Sequence, residues 1–240
     1  MSLLLIDIGN TRCKWARVEN GRWLAQGVVD NSAIINLRAD FAGLPLPARI
    51  LVANVAGAAL AKWVVELTSM WSVAPEFVVA SAAEAGVTNL YDVPSQLGCD
   101  RWLALIAARQ QVAGACLVVN SGTATTIDAL SAQGEFIGGL ILPGIDLIQK
   151  SLAHGAAQLP LAAGAVRDFP RNTADAIVSG AVLSTVATIE KQRRLLGENA
   201  SCLLSGGAAT LLQPHLASQT TLVDNLVLRG LQILGEMKLC

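Results

Sequence analysis

Histidine and patterned cysteine are what this chain has least of, and their scarcity removes whole classes of chemistry. Only His154 and His215 occur, neither near a Ser or Cys in a recognisable pattern, so a hydrolase triad has no base. The five cysteines, Cys13, Cys99, Cys116, Cys202 and Cys240, are scattered, odd in number and without metal-ligand spacing. They read as reduced thiols of a cytoplasmic protein. No basic run occurs, and 17 Lys plus Arg against 18 Asp plus Glu leave a formal charge of -1. That balance argues against a nucleic-acid surface or an anionic-membrane anchor. A run of about 20 uncharged apolar residues, the length that spans a bilayer, is missing too. The opening Met1-Ser2-Leu3-Leu4-Leu5-Ile6-Asp7 has no basic n-region and meets an acid too early for a secretory signal. Neither G-x-x-x-x-G-K-[ST] nor a helix-opening G-x-G-x-x-G is present, so nucleotide binding, if it occurs, uses other turns.

What remains is a 240-residue chain with 53% hydrophobic residues, enough for one large domain or two small ones with a sizeable core. Its organising stretch is Leu3 to Lys14. Leu3 to Ile6 is a short apolar run ending at turn chemistry, the pattern of a strand buried on both faces. Asp7 sits at the strand's mouth, where a lone carboxylate needs a metal ion, a phosphate-bound water or a backbone donor. Gly9 permits close backbone approach to a ligand, and Asn10 and Thr11 add side-chain donors. A shift of 113 residues lays Val118 to Ala124 over Leu5 to Thr11, with Asn120 on Asp7, Gly122 on Gly9, Thr123 on Asn10, Gly134 on Gly21 and Phe136 on Trp23. Two hairpins of one design predict a duplicated domain whose two phosphate-facing turns look at each other across a cleft.

Along the chain, Arg12 to Val18 and Arg22 to Val29 alternate around Glu19-Asn20-Gly21, a hairpin. A helix is expected over Asn31 to Asp40, capped by Asn31 or Ser32, then a loop over Phe41 to Pro47. A strand over Arg49 to Ala53, a helix over Gly57 to Met70 and a strand over Glu76 to Ala80 complete a β-β-β-α-β-α-β order. A polar connection over Tyr91 to Asp100 leads to a helix over Arg101 to Gln111. The second half repeats with strands over Cys116 to Asn120, Thr125 to Leu130 and Glu135 to Leu142 and a helix from Pro143-Gly144 to about Leu152. Then come a loop over Gly155 to Pro170 and a long helix over Thr173 to Leu196 with Asn172 as N-cap. Short elements over Ser201 to Leu204, Ala208 to Leu212 and Thr221 to Val223 precede a closing helix over Asp224 to Met237. The halves are expected to meet near Gly114.

The two turns concentrate small residues, hydroxyls and unpaired amides, which suits a polyphosphate; each alone reads equally as a plain hairpin. Asp100, between Gly98-Cys99 and Arg101, is a helix N-cap on one reading. On the other it is a proton-accepting carboxylate beside a cation that can hold an anionic substrate. Asp128 reads either as support for the site or as an edge-strand carboxylate in solvent. Ser205-Gly206-Gly207-Ala208 is a strand-to-helix turn or a place for a nucleoside to lie on the backbone.

Five blocks in order, Asp7-x-Gly9-Asn10-Thr11, Tyr91-x-x-Pro94-x-x-Leu97-Gly98-x-Asp100-Arg101, Gly122-Thr123-Ala124-Thr125-Thr126-x-Asp128, Gly138-Gly139-x-Ile141-x-Pro143-Gly144 and Asn172-Thr173-x-x-Ala176-Ile177-x-x-Gly180, resemble the type III pantothenate kinases. The resemblance covers nearly the whole chain. It implies an α/β fold of the actin, sugar-kinase and acetate-kinase superfamily, with two ribonuclease H-like halves, β-β-β-α-β-α-β-α each, at residues 1–113 and 114–240 around a nucleotide cleft. It implies Mg-ATP-dependent phosphorylation of pantothenate, the first step of coenzyme A synthesis, in a cytoplasmic homodimer. By the same resemblance Asp100 is the general base. Asp7, Ile8, Gly9, Asn10, Thr11, Arg12, Cys13 and Lys14 hold ATP phosphates, Asp7 orients hydrated Mg²⁺, and Thr123 adds a phosphate contact. Tyr91, Gly98, Cys99, Asp100 and Arg101 line the pantothenate pocket, with Thr173 supplied by the partner subunit. Asn120 stands where many members carry an Asp that binds potassium or ammonium, so weak dependence on a monovalent cation is expected. Two other readings are a non-catalytic regulatory protein on the same fold and a phosphotransferase for another small molecule.

Overall fold

The computed structural model describes residues 2–155, 163–197, 199–216 and 220–237. The chain divides into two compact units, one of Met1–Gln110 with Leu226–Cys240, the other of Gln111–Asn225.

The first unit is built on β1 (Ser2–Ile8), β2 (Arg12–Glu19), β3 (Arg22–Asp30), β4 (Arg49–Asn54) and β5 (Pro75–Phe77), in the order β3-β2-β1-β4-β5. β1 pairs antiparallel with β2 and parallel with β4. That central place explains its unbroken apolar run, because both faces are covered. Leu4, Ile6 and Ile8 cluster with Ile34, Phe41, Val64 and Leu67, and Leu3 meets the closing helix at Gly235. Asn20 and Gly21 both have positive φ, the tight hairpin turn that their residue types favour.

The segment expected as a helix from Asn31 is a 3-10 turn over Asn31–Asn36 followed by α1 (Leu37–Ala42). The Asn31 side chain is diverted to the first turn and caps no helix. Beyond β4, α2 (Ala58–Thr68) packs Val64 and Leu67 inward, while Trp63 is 40% exposed. The strand expected over Glu76 to Ala80 is limited to Pro75–Phe77. A hairpin of β6 (Ala83–Glu84) and β7 (Val87–Asn89) and a 3-10 turn at Pro94–Gln96 precede α3 (Cys99–Gln111). Every residue of α3 from Arg101 to Ala108 is buried, so it is a core helix, and Asp100 lies in its first turn.

The second unit repeats the plan with β8 (Cys116–Ser121), β9 (Ala124–Leu130) and β10 (Glu135–Pro143), then α4 (Ile145–Gly155) and α5 (Thr173–Leu196). β11 (Ser201–Ser205), α6 (Ala209–Leu212) and β12 (Thr220–Leu222) follow, and its strands run β12-β11-β8-β9-β10. Leu117, Val119 and Ile127 pack against Val178, Val182, Val186 and Ile189 of α5. β9 lies between β8 and β10, and Asp128 on it is 1% exposed; the solvent reading of that residue is thereby corrected. The loop expected over Gly155 to Pro170 falls partly outside the described residues. The closing helix α7 (Leu226–Met237) returns to the first unit, with Gly230 against the Leu103 backbone and Arg49 donating to the Gly235 carbonyl at 2.9 Å.

The repeat holds with one change in register. In the first turn the Gly9 amide donates to the Arg12 carbonyl, leaving Asn10 and Thr11 at the tip; in the second the Gly122 amide donates to the Ala124 carbonyl, leaving Thr123 alone. Consequently Lys14 stands opposite Asp7, whereas Thr126 stands opposite Asn120.

Candidate active site

In the first unit, β1 and β2 carry the first turn. Asp7 is half-buried at the end of β1. Burial pushes its carboxyl up to about 7, Lys14 on the facing strand opposes the rise, and the charge of Asp100 adds to it. Gly9 to Arg12 form the turn, with Asn10, Thr11 and Arg12 exposed. Ile8 and Cys13 are fully buried in the apolar cluster, so within the expected stretch 7–14 they offer a ligand only backbone. Asn31 fixes the turn: its Nδ2 donates to the Gly9 carbonyl at 2.7 Å and its backbone amide to the Thr11 carbonyl at 2.9 Å.

The first turn of α3 supplies the second group. Burial raises the Asp100 carboxyl above the usual carboxylate range, against the Arg101 backbone amide and guanidinium, which lower it. Asp100 Oδ1 accepts from the Arg101 amide at 2.8 Å and bends back over Gly98, where a Cβ would lie 2.6 Å from that oxygen. Gly98 thus leaves room for the carboxylate. Arg101 is 5% exposed; its Nη1 donates to the Tyr91 hydroxyl at 2.9 Å, and its guanidinium carbon lies 5.7 Å from the ring centroid, a cation–π distance. Tyr91, Gly98, Asp100 and Arg101 are therefore brought together, and Asp100 is near enough to Asp7 for the two charges to interact. Two carboxylates of raised affinity for protons in one unit are matched to proton transfer and to a cation between oxygens. Cys99 is also here, but burial pushes its thiol up to about 11, which leaves it protonated and unreactive at neutral pH.

In the second unit the turn is held by close backbone packing. A Cβ on Gly144 would strike the Gly122 carbonyl, and one on Gly206 the Ser121 carbonyl. The Gly144 amide donates to the Thr123 carbonyl, and Ser121 Oγ and Thr125 Oγ1 are 2.9 Å apart and buried. Asn120 is half-buried at the end of β8. Thr173 is the first residue of α5, exposed and next to the Asn172 cap, whose Oδ1 accepts from the Asp175 amide at 2.8 Å. Asn31, Gly144 and Gly206 shape these turns, Asn31 in place of the helix cap expected of it. Gly144 belongs to the Gly138-to-Gly144 block and Gly206 to the Ser205-to-Ala208 turn.

A family model described as type III pantothenate kinase matches residues 3–194, a span that includes both turns, the Tyr91-to-Arg101 block and Thr173. The chain belongs to the type III pantothenate kinase family. A protein of that name from Aromatoleum aromaticum is 47% identical over 236 residues, with 98% of each chain covered. The one from Methylibium petroleiphilum is 46% identical, covering 99% of this chain and 100% of its own. Among solved structures, a Campylobacter jejuni protein described as a Baf family transcriptional activator superposes with a TM-score of 0.65 at 22% identity, over 98% of both chains. The activator of 2-hydroxyisocaproyl-CoA dehydratase from Clostridium difficile, with bound ADPNP, gives 0.54 at 11% identity over 99% of this chain and 97% of its own. At such identity these two support the fold alone. In this kinase-family chain no helix among the described residues is long and apolar enough to cross a membrane, and the described cysteines are buried free thiols.

Proposed function

We propose that this chain transfers the γ-phosphoryl group of ATP to the primary hydroxyl of pantothenate, forming 4′-phosphopantothenate and ADP at the entry to coenzyme A synthesis. The observation that carries the reading is the pairing, in one unit, of a proton-avid Asp100 with the Tyr91–Arg101 contact and the Asp7 turn, in a chain matched by the kinase family over residues 3–194. Phosphoryl transfer asks a protein mainly to align two oxygens and neutralise spreading charge.

In this reading Asp100 accepts the hydroxyl proton as the oxygen attacks. Burial raises the basicity of its carboxylate, and the Arg101 amide keeps it aimed. Arg101 and Tyr91 line the acceptor pocket with Gly98 and the Cys99 backbone, and Arg101 offers a cation to the pantothenate carboxylate. Exposed amides and hydroxyls of Asn10 and Thr11, with Lys14 behind them, bind ATP phosphates, and Thr123 adds a contact. Mg²⁺ suits the donor set. Asp7 is a hard oxygen ligand whose charge is costly where it stands, and no cluster of three or more His, Cys, Asp or Glu exists among the described residues. That combination matches an ion that keeps waters and shares phosphate oxygens. When bound, Mg²⁺ neutralises charge that develops on the transferred group.

The proposal extends to a cytoplasmic homodimer with Thr173 contributed by the partner. Its support is the exposure of the apolar Ile137 and Ile141 on β10 and Leu147 and Leu152 on α4, side chains available for a partner to cover. Asn120 retains a carbonyl ligand but no charge, so turnover is expected to be equal in sodium-only and potassium buffers; a steep potassium requirement contradicts this. The activity itself is tested by coupled ADP release with Mg-ATP over a panel of small alcohols including pantothenate, with product mass read for one added phosphate. Release confined to pantothenate is the expected result. Turnover of another alcohol, or of none, favours the other-substrate or regulatory readings.

A further inference from the structure

The loop that presents Tyr91 is organised by a buried side chain with every hydrogen-bonding group in use. Asn89 ends β7 and is 6% exposed. Its Oδ1 accepts from the Tyr91 amide at 3.1 Å, and its Nδ2 donates to the carbonyls of Ser81 at 3.3 Å and Pro94 at 3.1 Å. Its own amide donates to the Ala82 carbonyl at 2.8 Å. One residue thus joins four points of the segment 81–94. The hairpin beneath it turns through Ala85 and Gly86, both of positive φ, so the chain enters Asn89 in a fixed direction. From there the connection continues through bonds already described: the Tyr91 hydroxyl accepts from Arg101, whose backbone amide holds the Asp100 carboxylate.

We propose that Asn89 is a positioning residue for the acceptor side of the reaction: it fixes the Tyr91 backbone, and through the Tyr91 hydroxyl it sets the Arg101 guanidinium beside Asp100. Its kinetic consequence rests on the pantothenate reading above; its structural consequence does not. Three of the four bonds made by Asn89 are side-chain bonds to backbone groups of the loop itself. Losing them takes one bond each from the part-buried Ser81 carbonyl and Tyr91 amide and leaves the Pro94 carbonyl with the Leu97 amide, so the loop re-forms to reach water. Tyr91 then no longer meets Arg101 in one geometry.

The test exploits the fact that Tyr91 is the single tyrosine of the chain. Labelling tyrosine with ¹³C at Cζ alone gives one ring resonance, read on the full chain without substrate. Asn89→Ala is expected to move that resonance toward its position in the urea-unfolded chain while the protein stays folded. In turnover, the pantothenate KM is expected to rise about ten-fold, the scale of a lost buried hydrogen bond, with the ATP KM within about two-fold of the parent. In a Tyr91→Phe background the same substitution is expected to add little, because coupled residues are non-additive. Asn89→Asp keeps the acceptor for the Tyr91 amide; it is expected to keep the resonance nearer the parent position, and it serves if the alanine variant does not fold. An unmoved tyrosine resonance in a folded variant, equal rises in both KM values, or effects that multiply with Tyr91→Phe would overturn the proposal. If the parent chain does not phosphorylate pantothenate, the resonance still decides the positioning role, and only the pantothenate reading fails.

Discussion

At the scale of single residues, the site rests on side chains placed at a cost. A Cβ at position 98 would displace the Asp100 carboxylate and touch no backbone, so Gly98→Ala is expected to spare the melting temperature and lower kcat by about 10²-fold, the scale of an ångström of misplacement. Loss of stability with kcat retained would contradict this. Asp7 makes a pH prediction. Its carboxyl is held at about 7, mainly by burial, against an ordinary 3.8. The folded chain therefore keeps a proton that the unfolded chain has released, and stability falls as pH rises from about 4 through 7. Asp7→Asn removes that cost, so its melting temperature should exceed the parent's by more at pH 8 than at pH 5, while turnover collapses. An equal difference at both values would refute the assignment. Asp7 was legible in the sequence as a carboxylate at the mouth of an apolar strand, costly without a partner; Asp100 read also as a helix N-cap, and only the family resemblance assigned it as the base. Asn89 and Asn31 were not legible, because an asparagine's partners are backbone groups that only the folded chain brings near.

Elements were legible where periodicity was strong. The β1-β2-β3 hairpins and their repeat, and the long α5, stand within a residue or two of expectation because alternation and capping set them locally. The Asn31 segment was misread because its helix-capping amide bonds the Gly9 carbonyl instead, a contact 22 residues away. The one-residue difference between the two turns was hidden because the overlay of the sequences matches before and after them. α7 illustrates what packing adds: Gly230 lets its backbone lie on that of α3 at Leu103. Gly230→Ala is expected to cost about 1–3 kcal/mol, the range for overpacking, measured by urea unfolding; an unchanged midpoint would show that α7 slides freely there.

For the whole molecule, the chain leaves its first unit after Gln110 and returns to it at Leu226. The closing helix lies on β1, which carries Asp7, and on β4, so the unit carrying Asp7 and Asp100 is completed by residues far along the chain. The proposed base for phosphoryl transfer to pantothenate, Asp100, lies in this unit. Its most direct test is pantothenate-dependent ADP release by the parent chain and by Asp100→Asn, with ATP binding measured alongside. The expected result is 4′-phosphopantothenate from the parent and a loss of about 10²-fold or more in turnover for the variant, the scale of general-base removal, with ATP affinity little changed. Near-full turnover by Asp100→Asn would contradict that role.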